Sequence, residues 1–101
     1  MVSRMMDEYL CHVTTPEALT VERLVGVPFL HCCTEAQLPF VLERHFAGRT
    51  GLLVLRFNPA GVVDGHVRWE RTEPDMDPFP HLYGSLPVAL VRADAAPNSW
   101  G

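Results

Sequence analysis

Leu52-Leu53-Val54-Leu55-Arg56-Phe57 is the stretch on which the fold reading turns. The run is aliphatic and partly β-branched, too short for a buried helix, and closed by the turn-forming Asn58-Pro59-Ala60-Gly61. Its near-continuous apolar character fits a central strand. Just upstream, Thr34 has the hydroxyl of a helix cap, Glu35 stands in the first turn and Gln37 holds the capping-box position. Leu38, Val41, Leu42, His45 and Phe46 then recur at helical spacing, and Gly48 is placed to end the helix. Pro39 falls late in the first turn, where it distorts the backbone.

Two more short apolar runs lie further upstream, Tyr9 to Val13 (YLCHV) and Phe29 to Cys33 (FLHCC), and both read as strands. Between them, Thr15-Pro16-Glu17 combines a cap, a first-position proline and an acid, which predicts a second helix over Pro16 to Leu24. Downstream, His66 to Arg71 (HVRWER) alternates, with Val67 and Trp69 on one face and His66, Arg68 and Glu70 on the other. Thr72 to Pro78 is an acidic, proline-rich loop, Phe79 to Gly84 (FPHLYG) reads as a short irregular segment, and Leu86 to Ala93 as the last strand. The tail from Ala95 to Gly101 is expected to fray, with Trp100 able to fold back. The order β-α-β-α-β-β-loop-β gives an α+β class, one domain over residues 1–101 with its core at about 9–93.

Composition narrows the function. The 101 residues carry a net charge of −4, and all eight basic residues are arginines scattered along the chain. Polymer nucleic acid needs clustered positive charge, so none is expected as partner, whereas a small nucleotide held by one or two arginines is compatible. A small-molecule ligand suits the acidic, lysine-free chain better than a polymer. No run of about 18 apolar residues exists to cross a membrane as a helix. The start MVSRMMDEYL has acids where a secretory signal needs an apolar core. Three cysteines (Cys11, Cys32, Cys33), two of them adjacent, fit a reducing, cytoplasmic setting.

The chemistry-bearing residues are mostly histidines. A polar group buried in an apolar run without a partner costs roughly 1–3 kcal/mol. His12 and His31 therefore need partners, either a backbone carbonyl in the core or a shared pocket. Arg68 and Glu70 share a strand face, as a solvated ion pair or as a carboxylate and an anion-holding guanidinium in a cleft. FPHLYG is either a hydrophobic plug or a wall through which His81 and Tyr83 close a pocket. No metal site is assigned, because adjacent ligands such as His31-Cys32-Cys33 point to opposite faces of a strand. Cys32 or Cys33 beside a histidine could serve as a nucleophile, against the plainer role of small buried residues. No P-loop, GxGxxG, GxSxG or HExxH pattern is present.

Taken together, His12-Val13-Thr14, Phe29-Leu30-His31-Cys32-Cys33-Thr34 with Gln37, Phe46-Ala47-Gly48, Leu53 to Pro59, Val67-Arg68-Trp69-Glu70 and Phe79-Pro80-His81-Leu82-Tyr83-Gly84 resemble the domain of unknown function 952 family, over about residues 9–93. The resemblance implies an ADP-ribosyltransferase-like fold: a small, split, curved antiparallel sheet with two main helices and a cleft between the sheet halves. It also implies NAD as a substrate or ligand of that cleft. On that implication His12 grips ribose and phosphate, with Thr14, Cys33, Thr34, Arg68 and Tyr83 as further ligand-binding residues. Glu70 stabilises an oxocarbenium-like transition state, with His31 and His81 beside it.

Three functional expectations follow. The first is an enzyme or nucleotide binder acting on NAD or an ADP-ribose-like ligand. The second is a metabolite enzyme that reuses the cleft, with His31, His81 or Cys33 as acid, base or nucleophile. The third is a non-catalytic binding module, in which His12, His31 and Glu70 would lie apart.

Overall fold

The computed structural model describes residues 9–97. Its strands are β1 (Leu10–Thr14), β2 (Arg23–Val25), β3 (Leu30–His31), β4 (Leu53–Phe57), β5 (Gly65–Glu70), β6 (Phe79–Pro87) and β7 (Arg92–Ala95). One α-helix, α1 (Leu38–Phe46), stands among the described residues, with short 3-10 turns at Pro16–Thr20, Pro59–Gly61 and Val88–Leu90. The class is α+β, as expected, and every strand pairing is antiparallel.

LLVLRF takes the central place predicted for it: β4 lies between β1 and β7. The second sheet is organised by β6, which pairs with β2, β3 and β5. The two sheets meet at a single bridge, where Cys11 and Cys33 exchange both backbone hydrogen bonds at 2.8 Å. Alternation along β1 then divides the core. Leu10, on one face, packs with Leu55, Phe57, Leu82 and Leu86. Cys11 and Val13, on the other, pack with Leu38 and Leu42 of α1 and with Val54.

Helix α1 shows how its sequence signals compete. The capping box forms: Thr34 N–H donates to Gln37 Oε1 at 3.0 Å, and Gln37 N–H donates to Thr34 Oγ1 at 3.1 Å. Regular helix nonetheless starts only at Leu38, because Pro39 has no N–H and the preceding turn closes by a 3-10 bond from Leu38 to Glu35 at 3.3 Å. Gly48, at φ +80°, ends the helix in the left-handed region. Arg56 ties this turn to the sheet through Glu35 and, at 3.0 Å, through Asp94 of β7.

Several expectations are corrected. The predicted helix over Pro16 to Leu24 is only a five-residue 3-10 turn, so two main helices are not present among the described residues. Thr15 makes no side-chain cap bond, and the chain extends so that Leu24, buried, pairs with Leu86 in β2. FPHLYG is not irregular: it is the first two-thirds of the nine-residue β6. Pro80 is accommodated there because its carbonyl still accepts from Cys32 N–H at 3.1 Å. Gly84 permits φ +111°, where a Cβ would lie 2.2 Å from the Asp64 carbonyl oxygen. The predicted last strand over Leu86 to Ala93 is divided by the turn at Val88–Leu90, and β7 runs on to Ala95. Ala96 N–H still donates to Leu52 at 2.9 Å, so the tail is ordered to that point, while Trp100 lies outside the described residues.

Candidate functional site

Beyond the Cys11–Cys33 bridge the strands β1 and β3 diverge, and a cavity of about 540 Å³ opens there. The seam supplies His12, Val13, His31 and the cysteines to its lining. Helix α1 adds Val41, His45 and Phe46, the loop before β6 adds Thr72, Glu73 and Met76, and β6 adds Phe79 and His81. The loop is tethered to α1: Gln37 Nε2 donates to the Pro78 carbonyl at 3.0 Å, and Arg44 stands 3.7 Å from Glu73.

Register explains why the imidazoles converge. His31 is directly opposite His81 across β3 and β6, and Arg68 is opposite His81 across β5 and β6. Directly opposed residues point to the same face of a sheet. The His31 and His81 rings meet edge-on with centroids 5.4 Å apart. Phe29 lies flat on His81 at 4.0 Å and fixes its plane.

The hydrogen bonds fix tautomers. His12 Nδ1 is 2.7 Å from the His31 carbonyl oxygen. A carbonyl only accepts, so Nδ1 carries the proton and Nε2 keeps the lone pair. Burial holds the His12 imidazole below its ordinary value, and the carbonyl only partly opposes this, so the ring is neutral at pH 7. His31 is lowered too, by burial and then by the neighbouring His81, His12 and His45.

At His81, which is 2% exposed, Nδ1 is 2.8 Å from Glu70 Oε1. The same oxygen accepts from the Tyr83 hydroxyl at 2.7 Å. These two donors hold the Glu70 carboxyl below the usual range, so it is an ionised acceptor and His81 Nδ1 is the donor. The bond to Glu70 in turn raises the Tyr83 phenol. Tyr83, Glu70 and His81 thus form a chain that leaves His81 Nε2 as the ring's untethered nitrogen.

Two of the three thiols are less available. Burial pushes Cys32 up to about 12, and the Cys11 sulfur together with burial raises Cys33, while the same contact lowers Cys11. All three cysteines are unbonded and buried. Among the described residues no three His, Cys, Asp or Glu side chains gather as a metal ion would require.

Of the residues singled out in the sequence, His12, His31, Cys32, Cys33 and His81 line the cavity. Glu70 does not; it reaches the cavity only through His81. Tyr83 stands behind Glu70, and Arg68, 5.5 Å over the Tyr83 ring, lies 3.8 Å from Glu70. Thr34 is committed to the capping box, and neither it nor Thr14 lines the cavity. His45 falls on the helix face that the sequence marks as apolar. Its four-residue spacing from Val41 puts both on the face toward the cavity, and an imidazole among apolar positions was the available signal.

No curated protein matches the chain. Among solved structures, protein CC0527 from Caulobacter crescentus is similar in fold, with a TM-score of 0.70 at 24% identity over 86% of this chain and 84% of that one. A double mutant of CC0527 matches with the same values. Residues 12–93 match the family described as "Protein of unknown function (DUF952)", and the chain belongs to that family.

Proposed function

We propose that this protein is a small-molecule enzyme that moves protons with imidazoles. The observation that carries the reading is the Glu70–His81 pair at 2.8 Å, on an imidazole that lines the same cavity as His12. A carboxylate bonded to Nδ1 orients the ring, fixes its tautomer and stabilises the imidazolium formed when Nε2 accepts a proton. His81 acts as the base toward a substrate proton or an attacking water, and Glu70 is its positioning residue. His12, whose Nδ1 is tied to the His31 carbonyl, also keeps an Nε2 lone pair and relays or returns the proton. The raised Cys32 and Cys33 thiols favour this over nucleophilic catalysis by either of those cysteines.

The test is incubation of the purified protein with a metabolite extract, followed by mass spectrometry. Wild type should deplete at least one compound that His81→Asn leaves intact. Identical extracts after both proteins would refute the reading.

A second reading keeps the ADP-ribosyltransferase-like fold and NAD as ligand. What favours it is the position of the cavity at the junction of two sheet halves, with His12 of the first strand in its lining. In it Glu70, which reaches the cavity only through His81, stabilises positive charge on the ribose through that imidazole. Calorimetry with NAD, ADP-ribose and nicotinamide separates the two readings, and absence of heat with all three removes the second. A cytoplasmic setting goes with either reading and is supported by the three free thiols. Among the described residues no helix is long and apolar enough to cross a membrane.

A further inference from the structure

The lining of the cavity also bears on what it takes; this step rests on the acid–base reading, because the same imidazoles must face the ligand. Among the described residues that line it there is no arginine. Its one carboxylate, Glu73, is paired with Arg44 at 3.7 Å. Burial keeps His12 and His31 from supplying positive charge at neutral pH. Arg56, the least exposed guanidinium among the ion pairs, is committed to Glu35 and Asp94. An anionic group placed in this cavity would lose its water without gaining a guanidinium or ammonium partner, and its desolvation would exceed what hydrogen bonds return. An ammonium group would find its carboxylate already paired.

The remaining wall is apolar, with Val41 and Phe46 from α1, Met76 from the loop and Phe79 from β6. A volume of about 540 Å³ suits a ligand of metabolite size. We propose that the cavity takes an uncharged, partly apolar small molecule, its ring or alkyl body against Phe46, Met76 and Phe79, and one hydroxyl or amide N–H donating to Nε2 of His81 or His12. Phosphorylated and carboxylated compounds are selected against by the absence of a guanidinium or ammonium group from the lining.

Phenol and benzoate test this with one ring in two charge states. NMR at neutral pH should show phenol moving the Met76 methyl and the His31 and His81 imidazole signals in the millimolar range, with benzoate at least about tenfold weaker. Phenol that leaves those signals still, or benzoate that binds as tightly, overturns the ligand class. Imidazole nitrogen shifts from the same samples report the His81 tautomer. A proton on Nε2 would remove the acid–base reading and leave the ligand class standing. Failure of phenol with the proton on Nδ1 would do the reverse.

Discussion

Acid should weaken this fold through His12 before the Glu35 and Glu70 carboxylates are protonated. The imidazole is held neutral by burial, with its folded value below the ordinary 6.5. Below that value the unfolded chain binds a proton that the folded chain does not, so falling pH favours unfolding. At about pH 5.5, one unit below, this proton costs the folded state at most about 1.4 kcal/mol. With a urea slope of about 2 kcal/mol/M, the midpoint should drop by up to roughly 0.7 M. The assay is urea unfolding followed by tryptophan fluorescence, at about pH 7.5 and pH 5.5, for wild type and His12→Asn. Asparagine keeps an N–H for the His31 carbonyl and does not titrate. Glu35 and Glu70, whose values lie below the ordinary 4.5, lose their contributions only at lower pH, and His31 is common to both proteins. The acid-induced drop should therefore be larger in wild type. Equal drops would show that His12 is not kept neutral, and the tautomer argument at the site would fall with it.

Other perturbations address the site and the frame separately. Glu70→Gln keeps the shape of the side chain but loses the charge that accepts from His81 and Tyr83, so turnover of a substrate found by the extract assay should fall by about 10²–10⁴. Circular dichroism should show the fold retained, and an unchanged rate would remove Glu70 from its positioning role. Leu82→Ala empties a fully buried position between the sheets and should cost about 2–5 kcal/mol in denaturant titration. Gly84→Ala places a Cβ 2.2 Å from the Asp64 carbonyl at φ +111°, and a loss under about 1 kcal/mol would mean that the β5–β6 contact relaxes more easily than its geometry implies.

Much of the frame was legible because its signals are local. LLVLRF reads as a central strand from its apolar run alone, and Thr34 with Gln37 forms the bonds that their spacing predicts. What escaped depends on partners distant in sequence. Leu24 enters a strand because Leu86, far along the chain, is there to pair with it, and a cap without a long apolar face cannot outweigh that pairing. FPHLYG hides its strand character because proline and glycine interrupt strands on average. Here Pro80 offers only the carbonyl that Cys32 needs, and Gly84 sits where a Cβ would strike Asp64. The site was half legible on the same grounds. Histidines inside apolar runs pointed to His12, His31 and His81, whereas the position of Glu70 behind His81 follows from the β5–β6 register, which no local pattern encodes.

The seam accounts for why histidines are tolerated in strands that otherwise build a core. Where two sheets share one bridge and then separate, each edge beyond it has backbone groups without a neighbouring strand, and those groups need partners. His12 meets that need: its Nδ1–H satisfies the His31 carbonyl across the gap at 2.7 Å. An aliphatic side chain in its place would fill volume but leave the carbonyl unpaired. The bond that satisfies the seam is also the one that holds the His12 lone pair on Nε2, on a ring that lines the cavity. Structural and chemical roles at this position are therefore one hydrogen bond read from its two ends. His12→Asn is expected to preserve the first role while abolishing the second.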